Sequence, residues 1–310
     1  MENTKSSNYF MFALMGMWIV LMFLMDILHI FEVNLGPIGR VLLSQIVLFV
    51  PLIVFIIIKK RHIPINNLLL FKKISIKNII MIVGMTLALI PGAMLLGMLS
   101  SFLFGGNDVG EIVTDMTVQT GLWVSLFVAA VVPSFFEEIA LRGIIFSGYK
   151  GEKIITAALI NGLFFGIIHL NMQQFLYAFA LGAIFCLFVY YTKSVWAGII
   201  AHLTVNGTQT ALTYFALQTL DEEAFLGQEY AASYAGQSDF LASFLIFAVW
   251  ASAFLAVFIL IFKSFQNYNS SAKDDPNWFK GNKMGNFFDI GFFGSVLIFA
   301  AITILIFAVQ

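Results

Sequence analysis

The chain has 310 residues, of which 60% are hydrophobic and 11% are charged, and its mean hydropathy is +0.94. Soluble domains are roughly 45–50% apolar, so this composition excludes an ordinary soluble protein and indicates a polytopic membrane protein. The net charge of −1 gives no indication of nucleic-acid binding. The single cysteine, Cys186, excludes an intramolecular disulfide and a cysteine-based metal motif.

Nine apolar stretches are candidates for helices that cross a bilayer core of roughly 30 Å, which takes about 20 residues. They predict an all-α, polytopic membrane helical bundle of about eight or nine transmembrane helices. We expect the first stretch to be a retained span rather than a cleaved signal. The fifth and sixth are short and joined only by HLNMQQ, so we expect one of them to be tilted or to span incompletely. The nine stretches are 9–31, 41–58, 78–104, 121–148, 154–170, 173–191, 195–218, 240–262 and 287–309.

The distribution of charge predicts the orientation, because Lys and Arg in short loops mark the cytoplasmic side. With nine spans and a cytoplasmic N-terminus, the basic loop 59–77 lies inside and the acidic residues of 221–229 lie outside. The sequence therefore predicts a multi-pass protein of the cell membrane with its C-terminus outside.

Three charged residues interrupt the fourth stretch, in the segment SFFEEIALRG. A charge at the centre of a spanning helix costs about 2.5–3.5 kcal/mol, so Glu137, Glu138 and Arg142 are expected to face a bundle interior or a water-filled cavity. Glu138 and Arg142 are four residues apart and are expected to pair on one helical face. Glu137 is rotated by about 100° from Glu138 and has no such partner in its own helix. Pro133 removes a backbone donor just before the carboxylates and is expected to bend the helix.

Two further stretches carry polar pairs one helical turn apart. FFGIIHLN contains Phe165 and His169, and AHLTVN contains His202 and Asn206. Single polar residues in spans commonly form hydrogen bonds between helices, but three linked patterns favour one functional site. We expect Glu137, His169 and His202 to meet in one cavity, and we interpret Phe165 as a packing residue.

These side chains would suit the hydrolysis of a peptide bond. Glu137 with His169 could act as general base on a water, while His202 and Asn206 could donate hydrogen bonds to the developing oxyanion. Glu138 with Arg142 would support the helix and balance the local charge. The same Glu137, His169 and His202 could instead bind a catalytic divalent metal such as zinc. The sequence has no HExxH motif, and the choice between no cofactor and a metal stays open.

The motifs EExxxR, FxxxH and HxxxN occur in this order on successive apolar stretches and resemble those of the CPBP, or Abi, family of intramembrane endopeptidases. Its relatives include the CAAX prenyl endopeptidases. The resemblance covers residues 121 to about 215 and implies a membrane-embedded protease with the four site residues in the roles given above. It also implies a peptide or protein substrate, with or without a lipid group. The family is often labelled metalloprotease, and a metal-independent glutamate mechanism is also held for it.

The resemblance suggests a division of the chain into three parts. Residues 1–120 would form about three N-terminal transmembrane helices, and 121–218 the catalytic core. Residues 219–310 would form an external acidic loop and two C-terminal helices. Two other functions fit the same sequence. One is a non-catalytic immunity or scaffold protein, and the other is a proton-coupled transporter, although the sequence lacks the internal repeat that transporters often have.

Overall fold

Residues 4–104, 108–219, 237–272, 278–279 and 287–309 are described by the computed structural model, and their regular elements are all helical. Helices suit a bilayer because every backbone donor and acceptor is satisfied within the segment. In chain order the helices are α1 (Thr4–Ile30), α2 (Gly36–Lys59), α3 (Ile65–Leu68), α4 (Ile76–Phe104), α5 (Asp108–Ser125), α6 (Val132–Glu138), α7 (Ile154–Ile167), α8 (Met172–Thr192), α9 (Trp196–Thr219), α10 (Gln237–Tyr268) and α11 (Ile290–Val309).

All nine predicted stretches contain helices, and among the described residues six helical segments are long and apolar enough to cross a membrane. These are 4–30, 36–59, 76–104, 110–149, 172–192 and 240–268. Helix α7 is apolar but has only 14 residues, and α9 is not among the six because its polar residues, including His202 and Asn206, lower its hydropathy. Helix α11 is apolar and has 20 residues, of which 290–306 form a shorter apolar segment. The predicted all-α membrane bundle is confirmed. The predicted acidic loop falls mainly on residues 220–236, which lie outside the described residues.

The predicted fourth span is one long but irregular helical segment. Gly121 interrupts α5 with a φ of 70°. Two π-helical stretches, Leu126–Val131 and Ile139–Ile145, flank α6, and a 3₁₀ turn, Phe146–Tyr149, ends the segment. Short π-helical stretches inside α-helices are frequent at functional sites. Here they enclose the seven residues that end in Glu137 and Glu138.

Helices α7 and α8 form a close antiparallel hairpin, because glycines bring their backbones together. A Cβ atom at Gly162 would lie 2.6 Å from the carbonyl oxygen of Phe179 and 2.9 Å from the backbone nitrogen of Ala183. On the facing helix, a Cβ atom at Gly182 would lie 2.9 Å from the Cβ of Phe165. Small residues at such contacts are typical of membrane helices. The hairpin positions the turn between its two helices, which carries His169.

Replacing Gly162 with valine is expected to destabilise the protein by about 1–3 kcal/mol or more, since the side chain would overlap the backbone of α8. Cys186 is fully buried and is the only cysteine, so thermal unfolding can be followed by its labelling with a thiol-reactive dye. Gly16→Ala is the matched control, because a Cβ atom there meets nothing within 4 Å. Equal unfolding temperatures for the two variants would contradict the close packing of the hairpin.

Candidate active site

The predicted site residues line one cavity of about 310 Å³ inside the bundle. Glu137, His169, His202 and Asn206 all contribute to its wall, so the structure brings together the residues that the three motifs predict. Most of the remaining wall is aliphatic or aromatic, with a few neutral polar side chains. Other lining residues are Trp18, Val41, Gln45, Leu48, Phe49, Val113, Met116, Phe165, Tyr177, Leu181, Phe185 and Gln209.

Glu137 lies in the last turn of α6 with 7% of its surface exposed. Its Oε1 accepts a hydrogen bond of 3.0 Å from Nε2 of Gln45 on α2. Its Oε2 has no hydrogen-bond partner within the described part of the chain and lies 3.9 Å from Nε2 of His169. The sequence correctly indicated that Glu137 lacks a partner in its own helix, but it missed Gln45. The signal that could have identified Gln45 is a single amide in the apolar stretch 41–58.

The turn that carries His169 is well defined by local contacts. The sequence placed His169 inside a span, but the structure places it between the end of α7 at Ile167 and the start of α8. Asn171 begins α8 as its N-cap, because its side-chain oxygen accepts from the backbone N–H groups of Gln173 and Gln174. Leu170 takes a left-handed conformation with a φ of 49° and completes the turn.

Hydrogen bonds also fix the orientation of the His169 ring. Its Nδ1 lies 2.7 Å from the carbonyl oxygen of Phe165, and because a carbonyl only accepts, Nδ1 carries the hydrogen. In the neutral ring Nε2 is then the acceptor, and it is the nitrogen nearer Glu137. From α1, Trp18 donates its indole N–H to the carbonyl of Ile168 at 2.7 Å, which holds the turn against the bundle.

Glu138 joins two cationic or potentially cationic groups at the centre of the bundle. The predicted pair is confirmed: Arg142 Nη1 donates to Glu138 Oε1 at 2.8 Å, and both side chains are fully buried. A second Arg142 nitrogen, Nη2, donates to the carbonyl of Gly182 at 2.9 Å. The sequence did not predict a partner for His202 within the bundle, but its Nδ1 lies 3.2 Å from the same Glu138 oxygen. Gly198 allows this approach of α9, since a Cβ atom there would overlap Glu138 Oε2.

Phe165 packs between the charged groups, in agreement with its interpretation as a packing residue. Its ring meets those of His169 and His202 edge-on, with centroids 4.9 and 5.4 Å apart. The guanidinium carbon of Arg142 lies 4.5 Å from the centroid of the Phe165 ring, which is a cation–π contact. Phe165 therefore separates and orients the two imidazoles.

Pro133 and Asn206 are linked through one backbone carbonyl. Pro133 has no N–H, so the carbonyl of Ala129 lacks the donor that would normally lie four residues along the helix. Asn206 of α9 donates its Nδ2 to this carbonyl at 3.1 Å. One of the two amide hydrogens of Asn206 is therefore used to hold α9 against the irregular helix. The other is available to the cavity that Asn206 lines.

The alternative ligand set of Glu137, His169 and His202 does not fit a metal site. Within the described ranges, no three His, Cys, Asp or Glu side chains are grouped so that they could hold a metal ion. The label metalloprotease therefore gains no support from the site.

Comparisons with known proteins agree with the three motifs. The family model described as type II CAAX prenyl endopeptidase Rce1-like matches residues 119–208. A Bacillus subtilis (strain 168) protein named "Putative membrane peptidase YdiL" is 29% identical over 168 residues, which cover 53% of this chain and 68% of that protein. No solved structure matches the chain. The chain is therefore a multi-pass membrane protein, and its residues 119–208 are similar to the CAAX prenyl endopeptidases of the Rce1-like type.

Proposed function

We propose that this protein is an intramembrane endopeptidase that hydrolyses a peptide bond of a membrane-associated peptide or protein tail, with a water activated by Glu137 and His169. One observation carries the proposal. Glu137 Oε2 has no hydrogen-bond partner among the described residues, and it lies 3.9 Å from His169 Nε2 in a buried cavity. The family match and the similarity to a protein named as a membrane peptidase support the same class of reaction.

The geometry of Glu137 and His169 suits the binding of one water between them. A water about 2.8 Å from each atom would see them at an angle of about 90°, which is compatible with donating to both. When the water oxygen attacks the substrate carbonyl carbon, Glu137 or His169 takes its proton. The new C–O bond forms, the C–N bond then breaks, and the proton passes to the leaving amine.

His202 and Asn206 are the proposed stabilisers of the oxyanion. Because His202 Nδ1 donates to Glu138, its Nε2 can donate to an oxyanion only when the ring is protonated. Asn206 would contribute its second amide hydrogen. Glu138 and Arg142 would thus support the site by holding His202 rather than by contacting substrate.

We further propose that the N-terminus is cytoplasmic and the C-terminus lies outside, with 121–218 as the catalytic core between N-terminal and C-terminal helices. The positions of the basic loops support this orientation. The substrate, with or without a lipid group, would then reach the cavity from the membrane or from the cytoplasmic face. The mainly apolar wall of the cavity suits an apolar segment of such a substrate.

The proposal is tested by mass spectrometry of new peptide termini in membranes incubated with the purified protein. We expect cleavage products with the wild-type protein and none with the double variant Glu137→Ala, His169→Ala, which removes both proposed bases. Cleavage should persist after exhaustive chelation, because no step requires a metal. Products made equally by the double variant would refute the proposed site, and loss of cleavage on chelation with recovery on adding zinc would refute the metal-independent mechanism.

A further inference from the structure

Gln45 is a buried amide on a largely apolar helix, outside the residues that match the family model. It lies on α2 and is 7% exposed, whereas the matched region begins at residue 119. A buried amide costs free energy unless it is hydrogen bonded. Within the described residues, its Nε2 donates to Glu137 Oε1 at 3.0 Å, and its own oxygen has no partner. The hydrogen bonding of Gln45 is therefore directed to Glu137.

We propose that Gln45 is a positioning residue for Glu137, an inference that rests on the proposed function. The terminal torsion of a glutamate side chain is broad and has weak preferences, so a carboxylate without a fixed donor could turn its plane and lose the alignment of an oxygen with His169. Gln45 engages Oε1, which leaves Oε2 toward His169. Since an ionised carboxylate only accepts, the amide nitrogen of Gln45 must face it. A neutral amide also cannot take the proton, so it orients Glu137 without competing as a base.

An amide bridge between helical segments far from the cavity has a different form in this protein. Asn78 on α4 and Asn269, which follows α10, exchange two amide hydrogen bonds of 3.0 and 2.8 Å. Each of those amides satisfies the other. Gln45 instead uses one donor on one carboxylate oxygen, and its own oxygen has no partner in the part of the chain that the structure describes. This asymmetry indicates that the contact serves the orientation of Glu137.

Three substitutions at position 45 test this role in the reconstituted full-length protein. The measurement is the rate of cleavage of the substrate that the terminus assay identifies. Gln45→Met keeps the length but removes the donor, and its kcat is expected to fall by about 10- to 100-fold with KM unchanged. Gln45→His can present a ring N–H at a similar distance from the backbone and is expected to recover most of the lost rate. Gln45→Glu places a second carboxylate against Glu137 and should be the least active of the three.

A matched control separates positioning from stability. Asn78→Leu also removes buried amide hydrogen bonds between helical segments, and it should lower the unfolding temperature while leaving kcat and KM of the folded protein unchanged. The folded fraction of each variant is measured by protection of Cys186 from labelling. The inference would be overturned if Gln45→Met kept the wild-type kcat. It would also be overturned if Gln45→Met and Gln45→His lost the same share of activity and that loss matched the decrease in their folded fractions. Cleavage retained by Glu137→Ala would instead overturn the proposed function, and the role of Gln45 with it.

Discussion

Glu137→Gln is expected to lower kcat/KM by about 10²- to 10⁴-fold, the range that general-base catalysis commonly contributes. Glutamine has nearly the same shape as glutamate and can still pack beside Gln45, but its amide cannot accept a proton from water. The loss should appear in kcat, because the proton is transferred in the transition state and the substitution leaves the apolar wall of the cavity intact. The measurement is the rate of cleavage of the substrate identified in the terminus assay.

The control for this prediction is Glu32→Gln, which neutralises an exposed carboxylate after the end of α1. It changes the net charge of the protein in the same way but should leave kcat/KM unchanged. Protection of Cys186 should match the wild type in both variants, so that a loss of rate cannot come from unfolding. A Glu137→Gln protein with more than a tenth of the wild-type rate would be inconsistent with Glu137 as the base.

Arg142→Met is expected to destabilise the protein by about 3–5 kcal/mol, since it leaves Glu138 as a buried charge without its main partner. Both side chains are fully buried, and Arg142 also donates to the carbonyl of Gly182 and lies over the ring of Phe165. For a chain of this size the unfolding temperature should fall by on the order of 10 °C. Heating followed by size-exclusion chromatography measures the fraction that stays monodisperse.

The double variant Glu138→Met, Arg142→Met distinguishes the broken pair from simple loss of packing. Replacement of both members of a buried ion pair by apolar residues is often nearly neutral, so the double variant should be more stable than Arg142→Met alone. It should nevertheless lose activity, because His202 would lose the carboxylate that holds its Nδ1. The single variant Glu138→Met completes the comparison. If the loss of stability in the double variant equals the sum of the losses in Glu138→Met and Arg142→Met, Glu138 and Arg142 are not coupled.

Several features of the site follow from sequence alone because they depend on neighbouring residues. The apolar stretches predicted the helices, since a bilayer requires about 20 apolar residues and satisfied backbone groups in each span. The pairing of Glu138 with Arg142 followed from their spacing of four residues. The joint occurrence of the motifs around Glu137, His169, His202 and Asn206 predicted one shared cavity, which the structure contains.

Other features depend on how helices that are distant in sequence pack together. Gln45 lies 92 residues from Glu137, and His202 lies 64 residues from Glu138. The rotation and depth of one helix against another decide which polar atoms meet, and no local spacing encodes either quantity. For the same reason the sequence missed that Asn206 caps the carbonyl freed by Pro133. The sequence by itself determined which four side chains line one cavity, whereas the tertiary structure decided their partners, because hydrogen bonds between helices exist only once the bundle has packed.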